Sequence, residues 1–132
     1  MKNTLQDDNY CFVCGQENPL GLRLRFSLDN GKATADFVPQ KVHQGYKDIV
    51  HGGIITTILD EAMVKAALMQ GMHAVSAEIT VRFRTILCTG EKTVVEAILE
   101  KINRKIIEAS AILRKTDNTI IAEGRAKLLR KV

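Results

Sequence analysis

The sequence predicts an α+β fold in which an antiparallel sheet of about six strands wraps around one central helix. Two patterns predict it. Apolar and polar residues alternate over most of the chain on either side of residues 53–70, as in half-buried strands. Residues 53–70 are instead apolar almost all round, which is typical of a buried helix. The chain has 132 residues, of which 45% are hydrophobic, so one domain with its own core is expected.

The predicted strands end at turn residues. Before the helix, residues 22–28 and 33–37 form a hairpin around Asn30 and Gly31. After the helix, strands are predicted over residues 75–84, 92–102, 107–113 and 120–128. In the first of these four, one face should carry Val75, Ala77, Ile79, Val81 and Phe83, and the other Ser76, Glu78, Thr80, Arg82 and Arg84.

The helix begins after His51 with two glycines, Gly52 and Gly53. A helix N-terminus presents free N–H groups and a partial positive charge. Glycines leave those N–H groups uncovered, so a ligand oxygen can approach closely. This arrangement suits a developing oxyanion on a carbonyl. A plain glycine-rich turn before a helix is the alternative interpretation.

Asp60 lies two turns into the apolar helix, where a charged carboxylate is costly unless it is paired or used. Glu61 has Lys65 four residues ahead, in the favourable order for an ion pair, whereas the same spacing gives Asp60 no cation. The sequence therefore indicates that Asp60 is unpaired within its helix. It could serve as a base or nucleophile, or it could accept hydrogen bonds from a loop backbone as a structural residue.

Charge and cysteine content limit the class of protein. The net charge is +4, and residues 82–132 hold twelve Lys or Arg against six Asp or Glu. A basic half favours anionic partners in general, and a solvated strand face is the commoner interpretation. Aromatic residues are only 5%, so nucleic acid binding is not favoured. No apolar run reaches the roughly 18 residues of a membrane span. Three cysteines, an odd number, suit a reducing compartment, so a cytoplasmic protein without a membrane partner is expected.

Cys11 and Cys14 have a spacing that can ligate zinc. A four-ligand site would need two further ligands, and only Cys88 and three histidines remain, without a second pair at metal spacing. A structural turn near the N-terminus is the favoured interpretation. We therefore expect no metal site and no redox cofactor.

Three segments together resemble the hotdog-fold acyl-CoA thioesterases, specifically the phenylacetate-pathway branch of the 4-hydroxybenzoyl-CoA thioesterase superfamily. The segments are CFVCGQENPLGLRLRF (11–26), HGGIITTILDEAM (51–63) and VSAEITVRFRTILCTGE (75–91). The resemblance covers about residues 10–130 and implies one hotdog domain over residues 1–132, with residues 1–19 as an N-terminal segment and 53–70 as the central helix.

The resemblance implies hydrolysis of an acyl-CoA thioester to a free acid and CoA by a homodimer or a dimer of dimers. Gly52 would donate its N–H to the oxyanion, and Asp60 would act as general base or as nucleophile. Ser76 would position the water or the aspartate, facing Asp60 of the partner subunit. His51 would orient the loop and touch the carbonyl.

Two positions depart from the family pattern. Family members often carry Asn or Gln six residues before the histidine, where this chain has Gly45; Gln44 is one position away and could take the role only if the loop bends differently. Ile86 replaces a proline that usually lies near the end of the strand, which we interpret as a structural change.

The resemblance also implies the substrate contacts. An apolar acyl group would meet Gly53, Ile55, Leu59, Met63 and Phe83, and the CoA phosphates would meet Arg82, Arg84, Arg104 and Lys105. Two other functions fit the same fold. A hydratase or dehydratase acting on acyl thioesters would pair His51 with Asp60, and a non-catalytic acyl-CoA sensor would bind without turnover.

Overall fold

The computed structural model describes residues 5–131 as one long helix packed on a six-stranded antiparallel sheet, as predicted. The strands in chain order are β1 Ser27–Asp29, β2 Lys32–Phe37, β3 Ala74–Phe83, β4 Thr93–Ile102, β5 Ile106–Lys115 and β6 Ile120–Arg130. The helix α1 spans Gly52–Leu68, and a 3-10 turn spans Lys41–His43. The strand order is β1-β2-β4-β5-β6-β3, so β3 forms one edge of the sheet.

The helix α1 begins one residue earlier and ends two residues earlier than predicted. The chain leaves the helix direction at Gly71, three residues after the last helical residue, Leu68. Gly71 has a φ of +88°, which is accessible to glycine at little cost, and its N–H donates to the Leu68 carbonyl. The helix face that packs on the sheet is fully buried, and β6 passes close to it. A Cβ on Gly124 of β6 would lie 3.4 Å from both Leu59 Cβ and Met63 Cε. Leu59 and Met63 are therefore core residues.

The predicted first strand, residues 22–28, is mostly not a strand. β1 contains only Ser27–Asp29, because Arg23 has a φ of +55°, which interrupts the extended chain. The stretch before β1 is held instead by the N-terminal segment. The N–H groups of Leu22 and Leu24 donate to the carbonyls of Phe12 and Val13, each at 2.8 Å.

A β-bulge interrupts β3 at Ala77. Ser76 pairs with Leu128 of β6, whereas Glu78 pairs with the preceding residue, Lys127, so Ala77 is an extra residue. The prediction of one unbroken alternation along β3 is therefore wrong. Ser76 lies on the side of the sheet that faces α1, where its hydroxyl reaches the helix, rather than on the face of Glu78.

No helix among residues 5–131 is long and apolar enough to span a membrane.

Candidate active site

Backbone hydrogen bonds hold the loop that leads into α1. The N–H of Val50 donates to the Leu87 carbonyl, and the N–H of His51 donates to the His43 carbonyl, both at 2.9 Å. His51 caps the helix, because its Nδ1 accepts from the N–H of Gly53 at 2.8 Å. With Nδ1 as acceptor, the proton of the neutral imidazole lies on Nε2. His51 thus fixes the direction in which the first helical N–H groups point.

The two glycines after His51 are not equivalent. The N–H of Gly53 is occupied by His51, so the prediction that Gly53 also presents a free N–H is wrong. The N–H of Gly52 has no acceptor among residues 5–131. Gly52 lies under the ring of Phe83, and a Cβ on Gly52 would be 3.3 Å from Phe83 Cζ. One backbone donor therefore stays available at the positive end of α1.

A groove of about 230 Å³ lies beside Gly52. It is mainly lined by apolar side chains of the loop, the helix, the end of β3 and the segment after it: Ile49, Val50, Ile55, Phe83, Ile86 and Leu87. Ile55 and Phe83, two of the residues predicted to contact the acyl group, line this groove. Leu59 and Met63 do not, since both are completely buried against the sheet, and the prediction that they line an acyl pocket is wrong.

The Asp60 carboxylate is half-buried and receives a hydrogen bond from the Ser76 hydroxyl at Oδ1. Its own helix provides no donor, as predicted, because the hydroxyls of Thr56 and Thr57 donate to carbonyls one turn back. The partner of Asp60 comes from β3 of the same chain, although we expected Ser76 to face Asp60 of the partner subunit. No group among residues 5–131 donates to Oδ2, which leaves that oxygen accessible for a water.

Gly52 and Asp60 are eight residues apart on one straight helix, which separates them by about 12 Å along its axis. A hydrogen bond spans only about 3 Å. One carbonyl group therefore cannot contact both residues of the same chain. His51 precedes Gly52 and is one residue further from Asp60, so these two side chains do not pair within one chain as the hydratase hypothesis would require.

Gln44 takes part in the loop that precedes His51. Its Oε1 accepts from the N–H of Asp48 at 3.0 Å. Gly45, where the resemblance predicts an amide side chain, lies close to His51, and a Cβ there would be 3.4 Å from His51 Cδ2. The side-chain oxygen of Gln44 thus stabilises the loop.

The predicted phosphate contacts lie in two separate places. Arg82 and Arg84 line a groove of about 470 Å³ on the face of the sheet opposite α1. Arg84 is already paired, since its Nε and Nη2 contact Glu123 Oε2 at 2.8 and 2.7 Å. Arg104 and Lys105 are exposed in the turn between β4 and β5, near the start of β3. The two pairs therefore flank opposite ends of β3.

A family model described as "Thioesterase superfamily" matches residues 47–122. The chain belongs to the thioesterase superfamily. The acyl-coenzyme A thioesterase THEM5 of Mus musculus is 24% identical over 105 residues, which are 79% of this chain and 42% of that protein. This thioesterase superfamily member thus spans less than half the length of the mouse relative.

Two solved structures confirm the hotdog fold. The Escherichia coli PaaI protein from the phenylacetic acid degradation operon has a TM-score of 0.77 and 21% identity, over 83% of this chain and 80% of its own. A Streptococcus mutans protein bound to acetyl CoA has a TM-score of 0.77 and 14% identity, over 81% of this chain and 87% of its own.

In this thioesterase superfamily member, the range matched by the family model contains Gly52, Asp60 and Ser76 but not the N-terminal cysteines. These cysteines make a contact that the sequence did not predict. Cys11 Sγ donates to Glu61 Oε2 at 3.3 Å, and no ion pair joins Glu61 to Lys65 in the described chain, so the predicted pairing of Glu61 is wrong. The Cys-x-x-Cys spacing was the signal available in the sequence.

Proposed function

We propose that this protein hydrolyses an acyl-CoA thioester to a free acid and CoA. The observation that carries the proposal is the open N–H of Gly52 at the positive end of α1, beside an apolar groove. The carboxylate of Asp60, held by Ser76, provides the second reactive group. Membership of the thioesterase superfamily and the name of the mouse relative support the same reaction class.

The active site is proposed to form between two copies of the chain. Ser76 and Phe83 lie about 20 Å apart along β3, beside Asp60 and Gly52 respectively. Antiparallel pairing of two β3 edges around a two-fold axis near Thr80 sets the start of one strand against the end of the other. Asp60 of one chain then approaches Gly52 of the partner subunit, and each dimer has two sites. A dimer of dimers is an extension of this assembly.

In the first step, a water attacks the thioester carbonyl and Asp60 takes its proton, while the Gly52 N–H of the partner subunit stabilises the oxyanion. When the tetrahedral intermediate collapses, the C–S bond breaks and the CoA sulfur leaves with its electron pair, taking up a proton. Direct attack by Asp60 would give an anhydride that water then hydrolyses. Neither route requires a metal or a redox cofactor.

The substrate is proposed to combine an apolar acyl group with CoA. Ile55 and Phe83 would contact the acyl group in the groove beside Gly52. Arg82, Arg104 and Lys105 are candidates for the phosphates, because none of them has an ion-pair partner within residues 5–131. The acetyl CoA bound to the Streptococcus mutans protein supports CoA recognition.

We also assign the chain to the phenylacetate-pathway branch and to the cytoplasm. The resemblance of residues 11–26 and 51–63 to that branch supports the first assignment, together with the likeness to PaaI. The free thiols of all three cysteines support the second, since they suit a reducing compartment.

The test is thiol release from a panel of aliphatic and aromatic acyl-CoAs. Asp60→Asn should reduce the rate about 10²–10⁴-fold, as expected for loss of a catalytic base. Asp36→Asn is the matched control, because Asp36 is exposed on β2, away from α1, and should leave the rate unchanged. Binding of acyl-CoA by wild type without any thiol release would refute hydrolysis and favour the sensor. Hydration of an enoyl-CoA without thiol release would favour the hydratase.

A further inference from the structure

Three side chains with metal-ligating atoms meet beneath the N-terminal segment. The Sγ atoms of Cys11 and Cys14 and a carboxylate oxygen of Glu61 all lie within 4.8 Å of one another. Each of the three residues is half-buried, and Cys11 Sγ is 3.3 Å from Glu61 Oε2. The cluster joins residues 50 positions apart in the chain, and the hydrolysis proposed above uses none of them.

The loop that carries the two cysteines is rigidly built. The N–H of Gly15 donates to the Cys11 carbonyl at 2.8 Å and closes a tight turn around the pair. A Cβ on Gly15 would lie 2.4 Å from the Cys11 nitrogen and 2.5 Å from the Asn9 carbonyl oxygen, so only glycine fits. The turn therefore presents both sulfur atoms to α1 from a fixed backbone, and a metal would not need to order the loop.

The donor set and its spacing suit zinc. Zinc binds thiolates at about 2.3 Å and carboxylates at about 2.0–2.2 Å, which sets tetrahedral ligand atoms about 3.5–3.8 Å apart. The observed cluster needs side-chain shifts of about 1 Å or less to reach that spacing. Cys14 also borders a surface groove of about 340 Å³, which provides a route for the ion and room for a water as fourth ligand.

The surroundings of the cluster combine burial with one negative and one positive side chain. Burial raises the pKa of the Cys14 thiol to about 12, and the hydrogen bond and negative charge of Glu61 act in the same direction. The ammonium of Lys65 acts against them. Zinc with two thiolates and one carboxylate would carry a single net negative charge, which Lys65 is placed to balance.

We propose that Cys11, Cys14 and Glu61 bind one Zn²⁺, with a water as the fourth ligand, and that the ion fastens the N-terminal segment to α1. Binding converts two thiols to thiolates and releases two protons to solvent, so zinc affinity rises with pH. Glu61 directly follows Asp60 on the helix. The site would therefore anchor the turn of α1 that carries the catalytic carboxylate, without contacting the substrate.

The test is metal content and stability of the purified full-length chain. Wild type, supplied with Zn²⁺ and dialysed, should retain one zinc per chain, and removal of zinc by a chelator should lower Tm by about 5 °C or more. Co²⁺ in place of zinc should give the thiolate-to-metal charge-transfer absorption of a sulfur-ligated site. Cys88→Ser is the matched control, because Cys88 is exposed and outside the cluster, and it should behave as wild type.

Cys11→Ser and Cys14→Ser should lose the retained zinc and the cobalt absorption. Glu61→Gln preserves the size of the side chain and should fold. Because it removes a direct ligand, its zinc affinity should fall by more than the about 10–100-fold that is typical when a residue hydrogen-bonded to a ligand is lost. Three results would each overturn the site: no retained zinc and no zinc-dependent Tm in wild type, zinc retention in the Cys11→Ser and Cys14→Ser double variant, or loss of zinc in Cys88→Ser alone.

Discussion

The role of the Gly52 N–H can be isolated by a single substitution, Gly52→Pro. Proline removes the N–H, which is the proposed oxyanion donor, and changes no other polar group of the proposed site. Loss of one oxyanion donor typically reduces kcat about 10²–10³-fold, equivalent to about 2.7–4 kcal/mol of transition-state stabilisation. We expect a loss of this size in kcat, with a much smaller change in KM.

The backbone at this position accepts proline unusually well. Gly52 is the first residue of α1, where proline is favoured because its N–H would have no helical partner. The residue before a proline must be extended, and His51 already is, with φ −63° and ψ 133°. The Gly52 N–H has no acceptor among residues 5–131, so no internal hydrogen bond is lost. A Tm equal to or slightly above that of wild type is therefore expected.

Gly52→Ala is the control for the added side chain. Its Cβ meets the Phe83 ring as closely as that of proline does, but the N–H remains. Phe83 is 53% exposed, so its ring can move away. Steady-state thiol release and thermal unfolding should be measured for both variants. If the two variants are folded and equally active, the Gly52 N–H is not the oxyanion donor and the proposed geometry is refuted.

Three further predictions follow from the same structure. Coexpressed Asp60→Asn and Gly52→Pro chains, each nearly inactive alone, should recover about a quarter of wild-type activity. Half of the randomly paired dimers are mixed, and each mixed dimer contains one intact site out of two. No activity in tag-purified mixed dimers would contradict a shared site. Ser76→Ala removes a hydrogen bond to a charged carboxylate and should reduce kcat about 10-fold, and unchanged steady-state kinetics would rule out its positioning role. Burial holds the pKa of His43 below its usual 6.5, so the unfolded chain binds the proton more readily than the folded one. Tm should therefore fall as pH drops below about 6.5. A His43→Gln variant with the same pH dependence would assign the fall to other groups.

The helix and most strands could be predicted from the sequence, but their local irregularities could not. The buried helix and most strands follow from apolar periodicity, which depends on the chain's own residues. The first strand of the predicted hairpin is wrong around Arg23, which adopts a positive φ. The carbonyls of Phe12 and Val13 hold this stretch by backbone hydrogen bonds, and a local alternation pattern cannot predict contacts with another segment. Similarly, the partner of Glu61 depends on where the turn at Cys11 is placed, and helix spacing alone points to Lys65 instead.

The bulge at Ala77 decides which residues can form the proposed site. If the side chains of β3 alternated without a bulge, with the same face inward as in its later part, Ser76 would point away from α1. Asp60 would then lose its only donor within residues 5–131. The bulge turns Ser76 toward the helix, although the ladder with β6 continues on both sides. Bulges are favoured near sheet edges, and β3 is an edge.

Because β3 lies at the edge of the sheet, the strand that carries the bulge is also the strand that could pair with a second chain. Every second residue of the ten-residue strand β3 presents backbone N–H and C=O groups that have no strand partner within residues 5–131. Natural proteins usually cover such an edge. In the proposed dimer, a second β3 covers that edge and at the same time brings Asp60 of one chain close to Gly52 of the partner subunit. A single chain keeps Gly52 and Asp60 about 12 Å apart, so the proposed β3 pairing would cover the sheet edge and complete the proposed site in one step. A substitution that disrupts β3 pairing should therefore abolish activity and dimerisation together, even where Asp60 and Gly52 are intact.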